Sequence, residues 1–192
     1  MNSLSQNTDE TMDAADDGIA AEKRLSQSDQ RFIRQRKLAR RLAMQYLFRV
    51  DTNGEWEWNE DSFALTALTA SLMEEEEEDA PLRSDYNAAK SFALRIAKGT
   101  IQHVSEIDMA LENAAQNWTI ARMSQIDRAI LRIAAYELMF EEKIPAATSI
   151  NEAVELSKAF GEAKSPRFIN GVLDKVRENC GKTGRKTPKR KE

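Results

Sequence analysis

The sequence predicts an all-α protein, and both its composition and its hydrophobic spacing support that class. Its 192 residues include only 7 Gly and 4 Pro, whereas the strong helix formers Ala, Leu, Glu, Lys, Arg and Met are plentiful. Apolar residues recur at intervals of three and four, and no stretch shows sustained alternation of apolar and polar residues. We therefore expect a single helical domain of six or seven helices, from about residue 31 to about residue 179.

The first helix is predicted at residues 31–50, which contain seven basic residues and no acidic residue. Its core face consists of apolar residues at helical spacing, namely Ala39, Leu42, Ala43, Tyr46 and Val50. The roughly opposite face is basic and ends in an aromatic residue, with Lys37, Arg41, Met44 and Phe48. We expect this second face to be exposed, either as a solvated charged surface or as a site for a polyanion.

Charge is segregated along the chain, although the net charge is only −4. Residues 1–30 carry seven acids and two bases, and their low hydrophobicity predicts a disordered acidic tail. This tail either competes weakly for the basic helix or acts only as a solubilising extension. An acidic insertion is predicted at about 51–85, and a disordered basic tail at 180–192.

A second helix is predicted from Ser62 to Met73, with Asn59 or Asp61 as its cap. Trp56 and Trp58 lie among acids just before it, and we expect these two loop residues to pack back on the domain.

Five further helices are predicted to begin near residues 84, 104, 126, 150 and 166. Gly99 is expected either to loosen the end of the first of these or to permit a close helix crossing. The helix that begins near residue 104 is expected to end at Trp118. The helix after Ser124 is the most apolar, so we expect it to be buried on more than one side. The S-I-N-E sequence at 149–152 predicts a capping box, and Gly171 is predicted to be a close-packing point in the last helix.

Catalytic and metal-binding motifs are lacking in the sequence. There is no Gly-rich phosphate loop, HExxH, CxxC or GxSxG motif, and Cys180 and His103 are each the only residue of their type. No apolar run approaches the roughly 18 residues that span a bilayer, and no secretory signal is evident. We therefore expect a cytoplasmic protein that is not an enzyme and has no catalytic residue, cofactor or metal ion.

Four blocks of sequence resemble the NusB family. They are A-R-x-x-A-x-Q-x-L-F at 39–48, I-D-R-A-I-L-R-I-A-A-Y-E-L at 126–138, I-N-E-A-V-E-L-S-K-x-F-G at 150–161 and S-x-x-F-I-N-G-V-L-D-K at 165–175. The last three are long, ordered and specific. The resemblance covers residues 34–49 and 86–176, and the charged segments outside it exceed the compact family pattern.

This resemblance implies an all-helical transcription antitermination factor without enzymatic activity. Such proteins bind the single-stranded boxA element of ribosomal RNA transcripts jointly with a small ribosomal protein, NusE, and join other Nus factors on RNA polymerase. The implied RNA contacts are Arg34, Arg36, Lys37, Arg40, Lys164, Arg167 and Phe168. The implied ribosomal-protein contacts are Phe48 and Asp127.

Other interpretations stay open at this point. The chain could guide RNA for a separate ribosomal RNA methyltransferase, or it could be a protein-interaction module whose basic helix is held by the acidic tails. A membrane surface is a rival partner for any basic amphipathic helix, but here the apolar face is needed by the core. The sequence leaves open whether a homodimer covers the basic face.

Overall fold

Seven α-helices and one 3-10 turn make up the helical structure of the residues described by the computed structural model, which are 25–74, 83–115 and 118–181. The α-helices, numbered in chain order, are α1 (Gln27–Asn53), α2 (Glu60–Glu74), α3 (Arg83–Gln102), α4 (Val104–Ala114), α5 (Gln125–Phe140), α6 (Ala146–Phe160) and α7 (Ser165–Asn179). The 3-10 turn, Ile120–Arg122, lies between α4 and α5. The all-α prediction is confirmed. Most of both predicted tails and part of the acidic insertion, at 1–24, 75–82 and 182–192, lie outside the described residues.

The first helix begins at Gln27, which is earlier than the predicted boundary at residue 31, because Ser26 and Asp29 form a capping box. The Ser26 hydroxyl accepts a hydrogen bond from the Asp29 amide at 3.1 Å, and the Ser26 amide donates to the Asp29 carboxylate at 3.3 Å. The helix ends at Gly54, whose φ of +71° suits a residue without a Cβ. The resulting 27-residue helix places the exposed Arg31 and Arg34 one to two turns before its first buried residue, Leu38.

Helix α5 is the centre of the fold and contacts α1, α3, α4, α6 and α7. Every residue from Ala129 to Leu138 is buried, as its apolar composition predicts. At Gly99, α3 crosses α5 so closely that an added Cβ would lie 2.2 Å from Cζ of Tyr136. The close crossing predicted for Gly99 is therefore confirmed, whereas Gly171 lies in open space and its predicted packing role is wrong.

An aromatic cluster attaches α2 to α1. The ring of Tyr46 lies 5.4 Å from that of Trp58 and 5.3 Å from that of Phe63, in edge-to-face geometry. Asn59 caps α2 by accepting from the Ser62 amide at 2.8 Å, and the Tyr46 hydroxyl donates to the Asn59 carbonyl at 3.1 Å. The prediction that Trp58 packs back on the domain is confirmed.

Two helix ends differ from the prediction. Helix α6 begins at Ala146, directly after Pro145, so Ser149 is not a cap. The Ser149 side chain is buried, and its hydroxyl donates to the Glu137 carboxylate on α5 at 2.7 Å. This long-range hydrogen bond takes the place of the predicted cap within α6. Helix α4 ends at Ala114 rather than at Trp118.

Within the described residues, none of the helices combines the length and the apolar character that crossing a membrane requires.

Candidate nucleic-acid interface

The basic residues of α1 lie in different environments, and the first pair is held by one acid. Asp85, at the start of α3, is fully enclosed and accepts from Arg31 at 2.9 Å, from Arg34 at 3.2 Å and from Gln35 at 2.9 Å. The Gln35 hydrogen bond, followed by those of the arginines, holds the pKa of the Asp85 carboxyl below its usual range. Both arginine side chains stay half-exposed, at 50% and 55%. Asp85 therefore orients two guanidinium groups whose outer edges face solvent.

Arg36 is half-buried between aromatic rings. Its guanidinium carbon lies 3.9 Å from the ring centroid of Phe92 and 4.8 Å from that of Phe32, within the range of a cation–π contact. Burial lowers the pKa of Arg36, and the positive charge of Arg95 lowers it further. The same residues line an open groove of 590 Å³ between α1, α3 and the start of α6.

Arg40 lies in the core and not on the outer basic surface. It is 4% exposed, and its Nε donates to Glu137 at 2.8 Å. A second donor, Nη2, reaches the other Glu137 oxygen at 3.1 Å, and Glu152 lies 3.7 Å from Nη1. Arg40 also borders the groove of 590 Å³, but its side chain and that of Glu137 are only 5% and 1% exposed. The bidentate geometry therefore favours a structural role for Arg40 over contact with a ligand.

Lys37 is exposed and faces α6. With Arg34 it lines a shallow groove of 280 Å³ whose other wall includes Glu155 and Leu156. The pKa of the Glu155 carboxyl is lowered, first by Lys158 and in smaller part by Lys37, so the two helices are in electrostatic contact. Met44, expected on the same exposed stripe, is 4% exposed and belongs to the core.

A second cationic and aromatic cluster lies at the start of α7. Lys164 and Arg167 are exposed, and the half-buried ring of Phe168 lies 5.8 Å from that of Trp118. The guanidinium carbon of Arg122 lies over the Trp118 ring, 5.4 Å from its centroid. We define the aromatic platform as Trp118 and Phe168.

The sequence alone did not identify Trp118, Arg122 or Phe160 as surface residues of this cluster. Trp118 is 47% exposed and Phe160, the last residue of α6, is 37% exposed. The available signal was Arg122, which follows Trp118 by four residues.

The two clusters are connected through α6. Its later residues, including Leu156 and Ala159, line the groove beside Arg34 and Lys37, and α7 begins only a short loop after Phe160. Lys164 and the platform therefore lie at the same end of α6 as the exposed residues of α1. We refer to the exposed Lys and Arg residues of α1, Lys164, Arg167 and the aromatic platform together as the cationic and aromatic band.

Phe48 and Asp127 lie elsewhere, where the C-terminal half of α1 meets the start of α5. Asp51 fixes this junction by accepting from Arg128 at 3.0 Å and from Arg132 at 3.0 Å. Phe48, one turn earlier on α1, is 37% exposed. The Asp127 amide donates to the Ser124 hydroxyl at 3.1 Å, whereas the buried Oδ1 of its side chain has no hydrogen-bond partner among the described residues. An unsatisfied buried acceptor of this kind costs about 1–3 kcal/mol.

Fold and surface together define a small all-α protein with a cationic and aromatic band on one side. The chain belongs to the NusB family, whose sequence pattern matches residues 37–178. Transcription antitermination protein NusB of Desulfitobacterium hafniense is 38% identical over 151 residues, covering 79% of this chain and 93% of that protein. The protein of the same name from Geobacter sulfurreducens is 40% identical over 142 residues, covering 73% and 92%.

Solved structures have the same fold. T. maritima NusB superposes with a TM-score of 0.59 at 29% identity, covering 74% of this chain and 90% of that chain. A chain of the crystal structure of antitermination factors NusB and NusE in complex with dsRNA has a TM-score of 0.61 at 24% identity, covering 77% and 98%. This last likeness concerns the fold alone.

Proposed function

We propose that this chain is an RNA-binding transcription antitermination factor of the cytoplasm, without catalytic activity. It binds boxA-type single-stranded sequences of ribosomal RNA transcripts together with the ribosomal protein NusE. With other Nus factors it suppresses termination by RNA polymerase. The observation that carries the proposal is the cationic and aromatic band on a NusB fold, and the antitermination proteins that are 38% and 40% identical support it.

Phosphate contacts are assigned to the exposed bases of the band. Lys37, Lys164 and Arg167 are exposed, and the half-exposed Arg34 is oriented by Asp85. Neutralising phosphates releases counterions, so RNA binding is expected to weaken steeply with salt. Arg36 contributes one edge of its guanidinium, and Arg40 positions α1 through Glu137 without touching RNA.

Base contacts are assigned to the aromatic platform. Single-stranded RNA exposes base faces that stack on aromatic side chains and on guanidinium planes. Trp118 offers 47% of its surface, with Phe168 and Arg122 beside it. The separation of cations on α1 from aromatics near α7 suits a strand that crosses the end of α6.

The contact with the ribosomal protein is assigned to Phe48 and Asp127. An exposed aromatic beside a buried acceptor that lacks a donor suits an interface in which the partner covers Phe48 and donates to Asp127. Both residues lie near the C-terminal end of α1, whereas Arg34, Arg36 and Lys37 lie towards its N-terminal end, so the protein partner and the RNA do not compete for the same side chains.

A fluorescence anisotropy titration of a labelled boxA-type RNA tests the RNA assignment. Replacing Lys37, Lys164 and Arg167 by Ala is expected to weaken binding and to flatten the dependence of log affinity on log salt by about two, since each single-strand contact contributes about 0.7. Lys90→Ala, an exposed lysine on α3, is the matched control. Unchanged affinity and slope in the triple variant would refute the assignment.

A further inference from the structure

Helix α2 exposes a row of leucines on the face where a surface helix normally carries polar residues. Leu65, Leu68 and Leu72 are 57%, 52% and 51% exposed. Their spacing of three and four places them on one side of the helix, while Phe63 and Ala70 occupy the opposite side and are buried in the core. The helix is therefore apolar on both sides, although among the described residues only one side is covered by the core. We call Leu65, Leu68 and Leu72 the leucine ridge.

Grooves flank the leucine ridge on both sides. Towards α1, a groove of 320 Å³ is lined by Leu65 together with Gln45 and Arg49. Towards α3, a groove of 310 Å³ is lined by Leu68 together with Tyr86 and Lys90. A ridge between two grooves has the relief into which the side chains of a second helix interdigitate. A contiguous apolar surface of this kind marks an interaction site.

The charge around the ridge indicates which partner fits. Each flanking groove includes one cation, Arg49 or Lys90, whereas α2 itself carries no Lys or Arg. Glu60 and Asp61 lie in the first turn of α2, with Asp61 four residues before Leu65, and the exposed Glu57 precedes the helix. Like charges would oppose a second copy of this helix and would repel RNA, whereas a cationic helix would be attracted.

The leucine ridge is separate from the cationic and aromatic band and from the surface of Phe48 and Asp127. It lies on the side of α1 that carries Gln45 and Arg49, whereas Asp51 ties the Phe48 side of α1 to α5. The cationic and aromatic band lies on α1, α6 and α7. None of these surfaces shares a residue with the leucine ridge.

We propose that the leucine ridge is a docking surface for a basic amphipathic helix of a partner protein. The partner's apolar side chains cover Leu65, Leu68 and Leu72, and its Lys or Arg residues face the acids that begin α2. This binding needs neither RNA nor the ribosomal protein, so its test does not depend on the proposed function.

The test uses the full chain and a labelled synthetic helix of Leu and Lys as the probe, with an analogue in which Glu replaces Lys. We expect the Leu/Lys peptide to bind and the triple variant Leu65→Ser/Leu68→Ser/Leu72→Ser to bind it at least about tenfold more weakly. The Leu/Glu peptide is expected to bind at least about tenfold more weakly than the Leu/Lys peptide. Met109→Ser is the matched control, because Met109 is 66% exposed on α4, away from the ridge.

Circular dichroism verifies that each variant is folded. If the triple variant does not fold, Leu68→Lys serves instead. It places a positive charge on the ridge, which repels the lysines of the Leu/Lys peptide, and it is expected to reduce binding by a similar factor. Three results would overturn the proposal: no binding of the Leu/Lys peptide to the native chain, equal binding by the ridge variants, or a dimer in sedimentation that the ridge variants abolish. The last would assign the ridge to a second copy of the chain.

Discussion

Replacing Arg40 by Met separates a structural role from an RNA-binding role at the one basic residue of α1 that lies in the core. The Arg40 and Glu137 side chains are 5% and 1% exposed and are joined at 2.8 Å and 3.1 Å. Glu137 also accepts from Ser149 at 2.7 Å, and this pair connects α1, α5 and α6. Removing the arginine leaves a carboxylate enclosed without its bidentate cation.

The expected loss of stability follows from the burial of this ion pair. Breaking one side of a buried ion pair costs about 3–5 kcal/mol, because the remaining charge stays desolvated. For a chain of this size, that loss lowers the melting temperature by roughly 6–20 °C. The double variant Arg40→Met/Glu137→Leu removes both charges, so it is expected to be less destabilised than Arg40→Met alone.

Urea denaturation followed by circular dichroism gives the free energy of unfolding, and RNA anisotropy below the unfolding transition gives the affinity. We expect Arg40→Met to lose stability while its RNA affinity stays within about threefold of the native value, whereas Lys37→Ala loses affinity and keeps its stability. If Arg40→Met unfolds like the native chain and binds RNA as weakly as Lys37→Ala, Arg40 contacts RNA and the assignment of a structural role is wrong.

Three further predictions concern packing, pH and the partner surface. Gly99→Ala places a methyl group 2.2 Å from Cζ of Tyr136, so thermal unfolding should show a loss of about 1–3 kcal/mol, and the same substitution should cost less in a Tyr136→Ala chain, where no ring meets the methyl group. The pKa of Asp85 is depressed in the folded chain. The stability that this carboxylate contributes is therefore present above its unfolded pKa of about 3.9 and is lost as the pH falls through the lower folded value. Asp85→Asn should be less stable at neutral pH and should lose less stability on acidification, and an unchanged loss on acidification would contradict this. Phe48→Ala should weaken binding of the ribosomal protein by about 1–3 kcal/mol in calorimetry without lowering the stability of the free chain, whereas equal loss of both would indicate a core role for Phe48.

The apolar periodicity of the sequence predicted most of the helices because burial leaves a direct trace in spacing. Ala39, Tyr46 and Val50 are buried as their spacing indicates, and the largely apolar stretch 129–138, which is interrupted only by Arg132 and Glu137, predicted that α5 is buried on more than one side. Local capping chemistry also predicted correctly where its partners are close in sequence, as at Asn59, which caps α2.

Long-range pairing could not be read from the sequence. The family resemblance implies Arg40 as an RNA contact, but its partner Glu137 lies 97 residues away in the sequence, and no local pattern indicates that this pair holds Arg40 in the core. Ser149 has the spacing of a cap, but a buried acceptor on α5 claims its hydroxyl. The exposure of Trp118 depends on how the 3-10 turn and α7 meet, and no local pattern encodes that arrangement.

The most direct test of the proposed function is the affinity for a boxA-type RNA measured by anisotropy with and without the ribosomal protein NusE, at the same salt concentration. If the chain, the RNA and NusE form one assembly through separate surfaces, NusE should tighten RNA binding by about 5- to 150-fold, and RNA should tighten NusE binding by the same factor. A scrambled RNA of equal length and composition should gain little. Equal affinity with and without NusE, or equal binding of the scrambled RNA, would contradict the proposed function.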